Sequence, residues 1–553
     1  MSMHAQPLEP IPELTSKIAR ASFPKGTLAM LLRDALDGVW NDEAFRALYP
    51  KRGRGALAPW RLAMVVVLQA VENLSDAQAA EMVRGRLDWK YALSFPLDDT
   101  GFDASILTDF RQRLVEHEAQ ELLLEPILRL CVERGWIVPK GKQRVDSTMV
   151  LSQARRLSSL ESVGETLRVA LNALAEEEPD WVLSVVSEDW FDRYVHRFEL
   201  QRFPKGKAAQ EALVQAVGED GWTVLEAVKQ PGAPKGLAEL EEVHLLKRVW
   251  EQHYERTLGK INWRDGPAVK NAERVVTPHD EDARESRKRA TEWLGYKVHL
   301  METCNPEEKV HLITHVETTE ATVQDVERTE ALLDAAREKG WEVEEALLDS
   351  GYVSGAILVK QRHKGCEIIG PVLGDVSQQQ KQGYGTQAFA LDWEQKQAIC
   401  PQGQASRQWT AKRDKRGEEV VQIFFAPKEC QVCPVKALCT TSRVGGRTLT
   451  VSPREIHEAL QERRGQQREP AFQQEYARRS GIEGSLSEGV RAHGMRRSRY
   501  QGRDKTHLQM VSVAAAINLC RISHFFEREQ AGLPPRRVRR PSAFARLREQ
   551  KVA

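Results

Sequence analysis

Gly295–Thr318 reads GYKVHLMETCNPEEKVHLITHVET. Tyr296, Val298 and Leu300 alternate with Lys297 and His299, and the two-residue period returns after CNPEEK; two such runs around a turn predict a β-hairpin. Reading toward the C-terminus, TEATVQDVERTEALLDAAREKG predicts a helix ended by Gly340, and VEEALLDSGY a strand that stops in a sharp turn. VSGAILVKQRHKG then predicts a second helix and CEIIGPV a further strand. Reading toward the N-terminus, Gly141–Ser152, GKQRVDSTMVLS, predicts a strand through Asp146. With the helical block between them set aside, the order is strand, strand, strand, helix, strand, helix, strand. That order predicts a mixed α/β sheet.

A chain of 553 residues is too long for one ordinary core, so two to four domains are expected. Residues 1–54 read as a leader with one helical piece, Thr27 to Ala47. Residues 55–135 read as short helices, with Ser75 and Ser105 placed as N-caps. They fit either a helix-turn-helix DNA reader or a bundle packed on its neighbour. Residues 136–373 hold the sheet, interrupted at about 158–275 by a helical insertion that includes a long charged helix through Leu237 to Thr257. A cysteine-containing insertion follows at 374–452, the core is completed at 453–525, and 526–553 is a basic tail.

The charge is balanced overall, 80 Lys and Arg against 79 Asp and Glu, but unevenly placed. From Arg491 to Ala553 there are 15 basic residues against 4 acidic ones, an end that would concentrate phosphate backbones. The N-terminus is polar and the longest apolar run, Leu62 to Val71, is too short to span a bilayer. No membrane association and a cytoplasmic location are expected.

Three acids could carry chemistry. Asp146 sits where an apolar segment gives way to hydroxyl residues, and Asp349 follows Ala346, Leu347 and Leu348 where a buried strand turns. Ligands gather at the carboxyl ends of such strands, although both Asp residues also read as plain turn formers. Glu483 shares a helical face with Tyr476 and Arg479, and an exposed Arg479–Glu483 pair would also account for two of these residues. Two Asp at strand ends and one Glu from a helix suit a hard cation such as Mg²⁺, and a pair of ions can act on a phosphodiester.

Cys430 and Cys433 have CxxC spacing, with Cys439 six residues on and Cys400 about thirty before. Four thiolates would suit a structural Zn²⁺; reduced cysteines in a small β insert are the alternative. Arg496, Arg497, Arg499, Arg503 and Lys505, with Tyr500 among them, suit contact with phosphates and stacking on an unpaired base; a solvated charged face is the alternative.

RVDSTMV, LLDSGY and YARRSGIEGSLSEGVRAHGMRRSRYQGRDKTHLQMVSVAAAIN together resemble a bacterial insertion-sequence transposase of the DDE class. LAPWRLAMVVVLQAVENLSDAQAAEMVRG resembles the N-terminal domain of these proteins, TPHDEDARESRKRATEWLGYKVHL the segment before their second strand, and the cysteine insert one found in a subgroup. The resemblance runs from about Gly55 to Arg521. It implies a ribonuclease-H-like core with Asp146, Asp349 and Glu483 as catalytic ligands of Mg²⁺ or Mn²⁺, two ions in number. It implies double-stranded DNA as partner, at element ends and target, a homodimer on that DNA, and a nucleoid location. The family pattern of Tyr, two residues, Arg, three residues, Glu, six residues and a basic residue matches Tyr476, Arg479 and Glu483. At the basic position stands Val490, with Arg491 next. A non-catalytic DNA-binding regulator and a stand-alone nuclease are the competing functions.

Overall fold

The computed structural model describes residues 2–533 except 4, 6, 258, 265, 267 and 416, together with residue 542. The tail arginines Arg536 to Arg540 lie outside the described residues.

Thirteen strands are described: β1 Lys140–Leu151, β2 Tyr254–Thr257, β3 Lys260–Trp263, β4 Arg284–Lys288, β5 Thr291–Thr303, β6 Ile313–Glu320, β7 Glu342–Leu347, β8 Glu367–Ile369, β9 Ala390–Asp392, β10 Gln397–Ile399, β11 Gln408–Arg413, β12 Glu419–Phe424 and β13 Thr448–Val451. The principal sheet runs β6-β5-β1-β7-β8, with β4 paired to the start of β5. The hairpin around CNPEEK is present as antiparallel β5 and β6. β1 is antiparallel to β5 and parallel to β7, and β7 is parallel to β8. The sheet is therefore mixed, as the sequence order predicts, and is compatible with a ribonuclease-H-like core.

β5 lies inside this sheet and is buried on both faces from Trp293 to Thr303 except at Lys297. Gly295 begins the pairing with β1 in a left-handed backbone (φ 148°), where a Cβ would meet the carbonyl oxygen of Val150. Helix Asp325–Glu338 packs on β6 and β7, and the 28-residue helix Arg503–Gln530 packs on β6. The second helix also packs on Pro59–Glu72, a helix buried at every position from Pro59 to Gln69. One hydrophobic cluster consequently runs from Trp60 and Leu68 through Tyr296 and Val298 to Ile517 and Phe525. The N-terminal helices thus pack on their neighbour.

Some local expectations are corrected. Thr27 to Ala47 is broken into helix Leu28–Ala35 and a 3-10 turn, Asp42–Leu48, and a further helix, Glu13–Ser22, precedes them. Ser75 caps its helix reciprocally with Gln78, but Ser105 is already inside its helix, and Asp103 Oδ1 accepts the Ser105 N–H at 2.9 Å. Asp two residues earlier thereby does the work expected of Ser.

The segment between β1 and β4 has its own core, centred on Val163, Leu167, Trp190, Tyr194 and Trp250. The expected helix through Thr257 ends at His253; Tyr254–Thr257 instead pairs with Lys260–Trp263. Tyr254 is buried against Trp250 and Trp263, and these aromatic contacts favour the hairpin over one more helical turn.

Candidate active site

Strand register brings the two aspartates together. Arg144 on β1 pairs with Leu347 on β7 in parallel, so Asp146 and Asp349 each lie two residues beyond that pair; Asp349 stands just past the end of β7, whereas Asp146, expected at a strand end, lies in the middle of β1, which continues along β5 to Leu151. A two-residue step returns a side chain to the same sheet face. Glu483 arrives from helix Gly481–Ala492, which packs on β1.

Arg479 joins the set. Its Nη1 donates to Asp146 Oδ2 at 2.9 Å and its Nη2 to Glu483 Oε1 at 3.3 Å. Asp146 and Arg479 are largely buried, whereas Glu483 is 62% exposed. Burial raises the Asp146 carboxyl above the usual range, and Asp349 adds to the rise; Arg479 and the Ser147 N–H oppose it. Burial works against the Arg479 cation, but Asp146, Tyr476 and Asp349 leave its pKa raised. The guanidinium thus occupies the position of positive charge among the three acids. Of the neighbouring glutamates, Glu475 pairs with Lys142 at 2.8 Å and Glu488 with Arg521 at 3.3 Å, while Glu483 shares a partner with Asp146.

Tyr476 lies beside this pair, with the Arg479 guanidinium 5.9 Å from its ring centre and Phe472 stacked on it at 6.1 Å. Both rings rest on Leu347 and Ile369 at the ends of β7 and β8. The Asp349 turn closes through its own Oδ1, which accepts Gly351 N–H at 2.8 Å.

A fourth carboxylate, Asp325, borders the site. A Cβ on Gly351 would lie 3.0 Å from Asp349 Oδ1 and 3.4 Å from Asp325 Oδ2. Asp325 Oδ1 accepts from Ser147 Oγ at 3.3 Å and Lys297 Nζ at 3.1 Å. Behind the two strands, His299 Nδ1 lies 2.6 Å from the Tyr352 hydroxyl and its Nε2 3.1 Å from Thr319 Oγ1. Burial pushes this imidazole down to about 4 and keeps it neutral. The available signal for both residues was position: His299 is polar inside a central strand, where burial demands partners, and Asp325 begins a helix.

The third-acid helix is anchored from below. Glu302 on β5 accepts from Arg144 Nη2 at 2.8 Å, Arg521 Nη1 at 2.7 Å and Ser485 Oγ at 2.5 Å. Burial disfavours this carboxylate, but Arg521 and Arg144 outweigh it and hold the group at about 2. Arg144 also donates to the Arg478 carbonyl at 3.0 Å and lies where a Cβ on Gly481 would fall. Gly481, which would weaken an ordinary helix, admits the guanidinium here.

Several basic residues expected on DNA are engaged within the chain. Arg496 Nη1 donates to Thr148 Oγ1 and the Met149 carbonyl, and Ser498 N–H donates to the Leu151 carbonyl at the end of β1. Arg499 donates to Asn73 and the Leu74 carbonyl, and Arg111 stands 5.3 Å from the Tyr500 ring centre. Tyr500 is used as a packing residue between the N-terminal helices and the core, which leaves its ring engaged by Arg111. Arg497, Arg503 and Lys505 are exposed.

Cys400, Cys430, Cys433 and Cys439 line one apolar pocket. Among the described residues, no three or more His, Cys, Asp or Glu side chains are gathered tightly enough to hold a metal ion. The acid set nevertheless fits a hard cation in its chemistry: its donors are carboxylate oxygens arranged around a positive charge, and the outer carboxylate is exposed. Among the described residues no helix is long and apolar enough to cross a membrane.

A family model described as Transposase DDE domain matches residues 399–523, and another, Transposase domain (DUF772), matches residues 18–113. No curated protein matches the chain. The first match contains Glu483 and all four clustered cysteines; Asp146 and Asp349 fall between the two matches. With a transposase model matched toward each end, the two matches support an insertion-sequence transposase of the DDE class and a transposase function.

Proposed function

We propose that this transposase cuts DNA at the ends of its element and joins the freed 3′ ends to target DNA, using Asp146, Asp349 and Glu483 on a ribonuclease-H-like sheet. The observation that carries this reading is the single guanidinium of Arg479, shared by Asp146 and Glu483 and held further by the charge of Asp349. The three acids would hold Mg²⁺ or Mn²⁺, two ions in number; when bound these supply Lewis acidity toward the phosphodiester oxygens. The chain's own part is positional. The β1 and β7 register sets one carboxylate within β1 beside another just past β7, the turn at Gly351 orients Asp349, and the Glu302 cluster seats the helix of Glu483. Arg479 stays with the acids, placed to meet a phosphate beside them.

Arg497, Arg503 and Lys505 would track the duplex, with residues 55–135 supporting the same face. A homodimer bound to two element ends, acting in the bacterial cytoplasm at the nucleoid, completes the proposal. The test is strand cleavage of an end-containing duplex with Mg²⁺ by Asp146→Asn, Asp349→Asn and Glu483→Gln. Each is expected to bind DNA and to lose cleavage by several orders of magnitude. Full cleavage by either Asp variant refutes the ligand set; DNA binding without cleavage by the unmodified protein favours the regulator.

A further inference from the structure

The residues after β8 form two small sheets, β9-β10 and β11-β12-β13, over a core built chiefly from Phe389, Ile423, Phe425, Leu449 and Val451. This is little apolar surface for 79 residues, and small units of this kind commonly need a crosslink. Cys400 follows β10, whereas Cys430, Cys433 and Cys439 lie in the loop joining β12 to β13. The four thiols therefore come from both sheets, and they face one pocket without any disulfide.

Two of the sulfurs meet backbone donors. Gln404 N–H donates to Cys400 Sγ at 3.3 Å, in a turn closed by Cys400 N–H to the Gln404 carbonyl at 2.8 Å. Arg447 N–H donates to Cys430 Sγ at 3.5 Å. Arg447 also lines the pocket, and its buried Nε has no hydrogen-bond partner among the described residues. Lys436 lines the same pocket.

We propose that Cys400, Cys430, Cys433 and Cys439 bind one structural Zn²⁺ that ties the β9-β10 hairpin to the β11-β12-β13 sheet. Ligation breaks four S–H bonds and forms four Zn–S bonds, and four protons pass to solvent. The product carries two negative charges, which Arg447 and Lys436 are placed to offset. Since the sulfurs are not yet gathered tightly enough to hold an ion, binding draws them inward to about 2.3 Å from the metal.

The test uses the full chain purified from zinc-containing medium. Elemental analysis is expected to find on the order of one zinc per chain, and X-ray absorption at the zinc edge to find a shell of four sulfurs. The double variant Cys430→Ser/Cys433→Ser is expected to lose the metal. Removal of zinc from the unmodified protein with a chelator should raise protease cleavage within 374–452 several-fold and leave the main sheet protected, a readout that does not depend on the variant folding. Asp146→Asn should retain the zinc, so this outcome is separate from that of the acid site. Zinc-free protein with four reactive thiols and a protease-resistant insert overturns the proposal, as does zinc bound through nitrogen or oxygen.

Discussion

Glu302→Gln is the perturbation to which the site should be most sensitive without touching any of the three acids. Gln keeps the size of the side chain but removes the charge facing Arg144 and Arg521. The carboxyl is held at about 2 against an ordinary 4.5, and a depression of that size corresponds to about 3 kcal/mol of stability. This contribution is present above pH 4.5 and is lost as pH falls toward 2, because protonation then favours the unfolded chain. Breaking a buried ion pair by removing one member costs ~3–5 kcal/mol, mostly for the charge left behind, so the two arguments agree. Arg521→Met should cost less, since Arg144 and Glu302 still neutralise each other. A single unfolding free energy is poorly defined for so large a chain. The useful readout is therefore hydrogen exchange of the peptide spanning Gly481–Ala492. A loss of about 3 kcal/mol lowers its protection roughly 100-fold. Unchanged protection at neutral pH, together with unchanged cleavage, would refute the claim that Glu302 seats the third-acid helix.

Gly481→Ala should reduce cleavage far more than it reduces thermal stability, because its Cβ would displace the Arg144 guanidinium; cleavage equal to that of the unmodified protein would show that the close approach is unimportant. Replacing Arg497, Arg503 or Lys505 by Met should lower the salt dependence of DNA binding by about one unit of slope each if they meet phosphates. Arg499→Met should leave that slope alone and loosen the N-terminal helices, as seen by proteolysis. Burial, with Arg274, holds His253 down to about 4 against an ordinary 6.5. The unfolded chain therefore takes up the proton first, and the helical insertion should lose up to about 3 kcal/mol as pH falls from 6.5 to 4. His253→Phe should remove that pH dependence in insertion peptides followed by hydrogen exchange.

β7 was legible because alternation survives where one face meets solvent, as it does at Glu342, Val343 and Glu344. Placing Asp146 beside Asp349 needed only the parallel register of β1 and β7. The Glu302 cluster was not legible: Arg144, Glu302, Ser485 and Arg521 carry no periodic signal, and their pairing depends on β5 lying between β1 and β6. Tyr500 shows a contact that the sequence hid. An aromatic among arginines reads as a nucleic-acid surface, yet Arg111, from a distant helix, claims its ring. Local composition describes what a residue can do, and tertiary packing decides whether it is free to do it.

The shared guanidinium also constrains when the site exists. Asp146 and Arg479 are 333 residues apart, and Glu302 waits 219 residues for Arg521. A chain emerging from the ribosome can pair β1 with β5 and β7 long before it has a third acid or the arginine that seats it. Prematurely ended products would carry both aspartates and no working centre. On the proposed function, strand breaking would thereby be withheld until Arg479, Glu483 and Arg521 have been made.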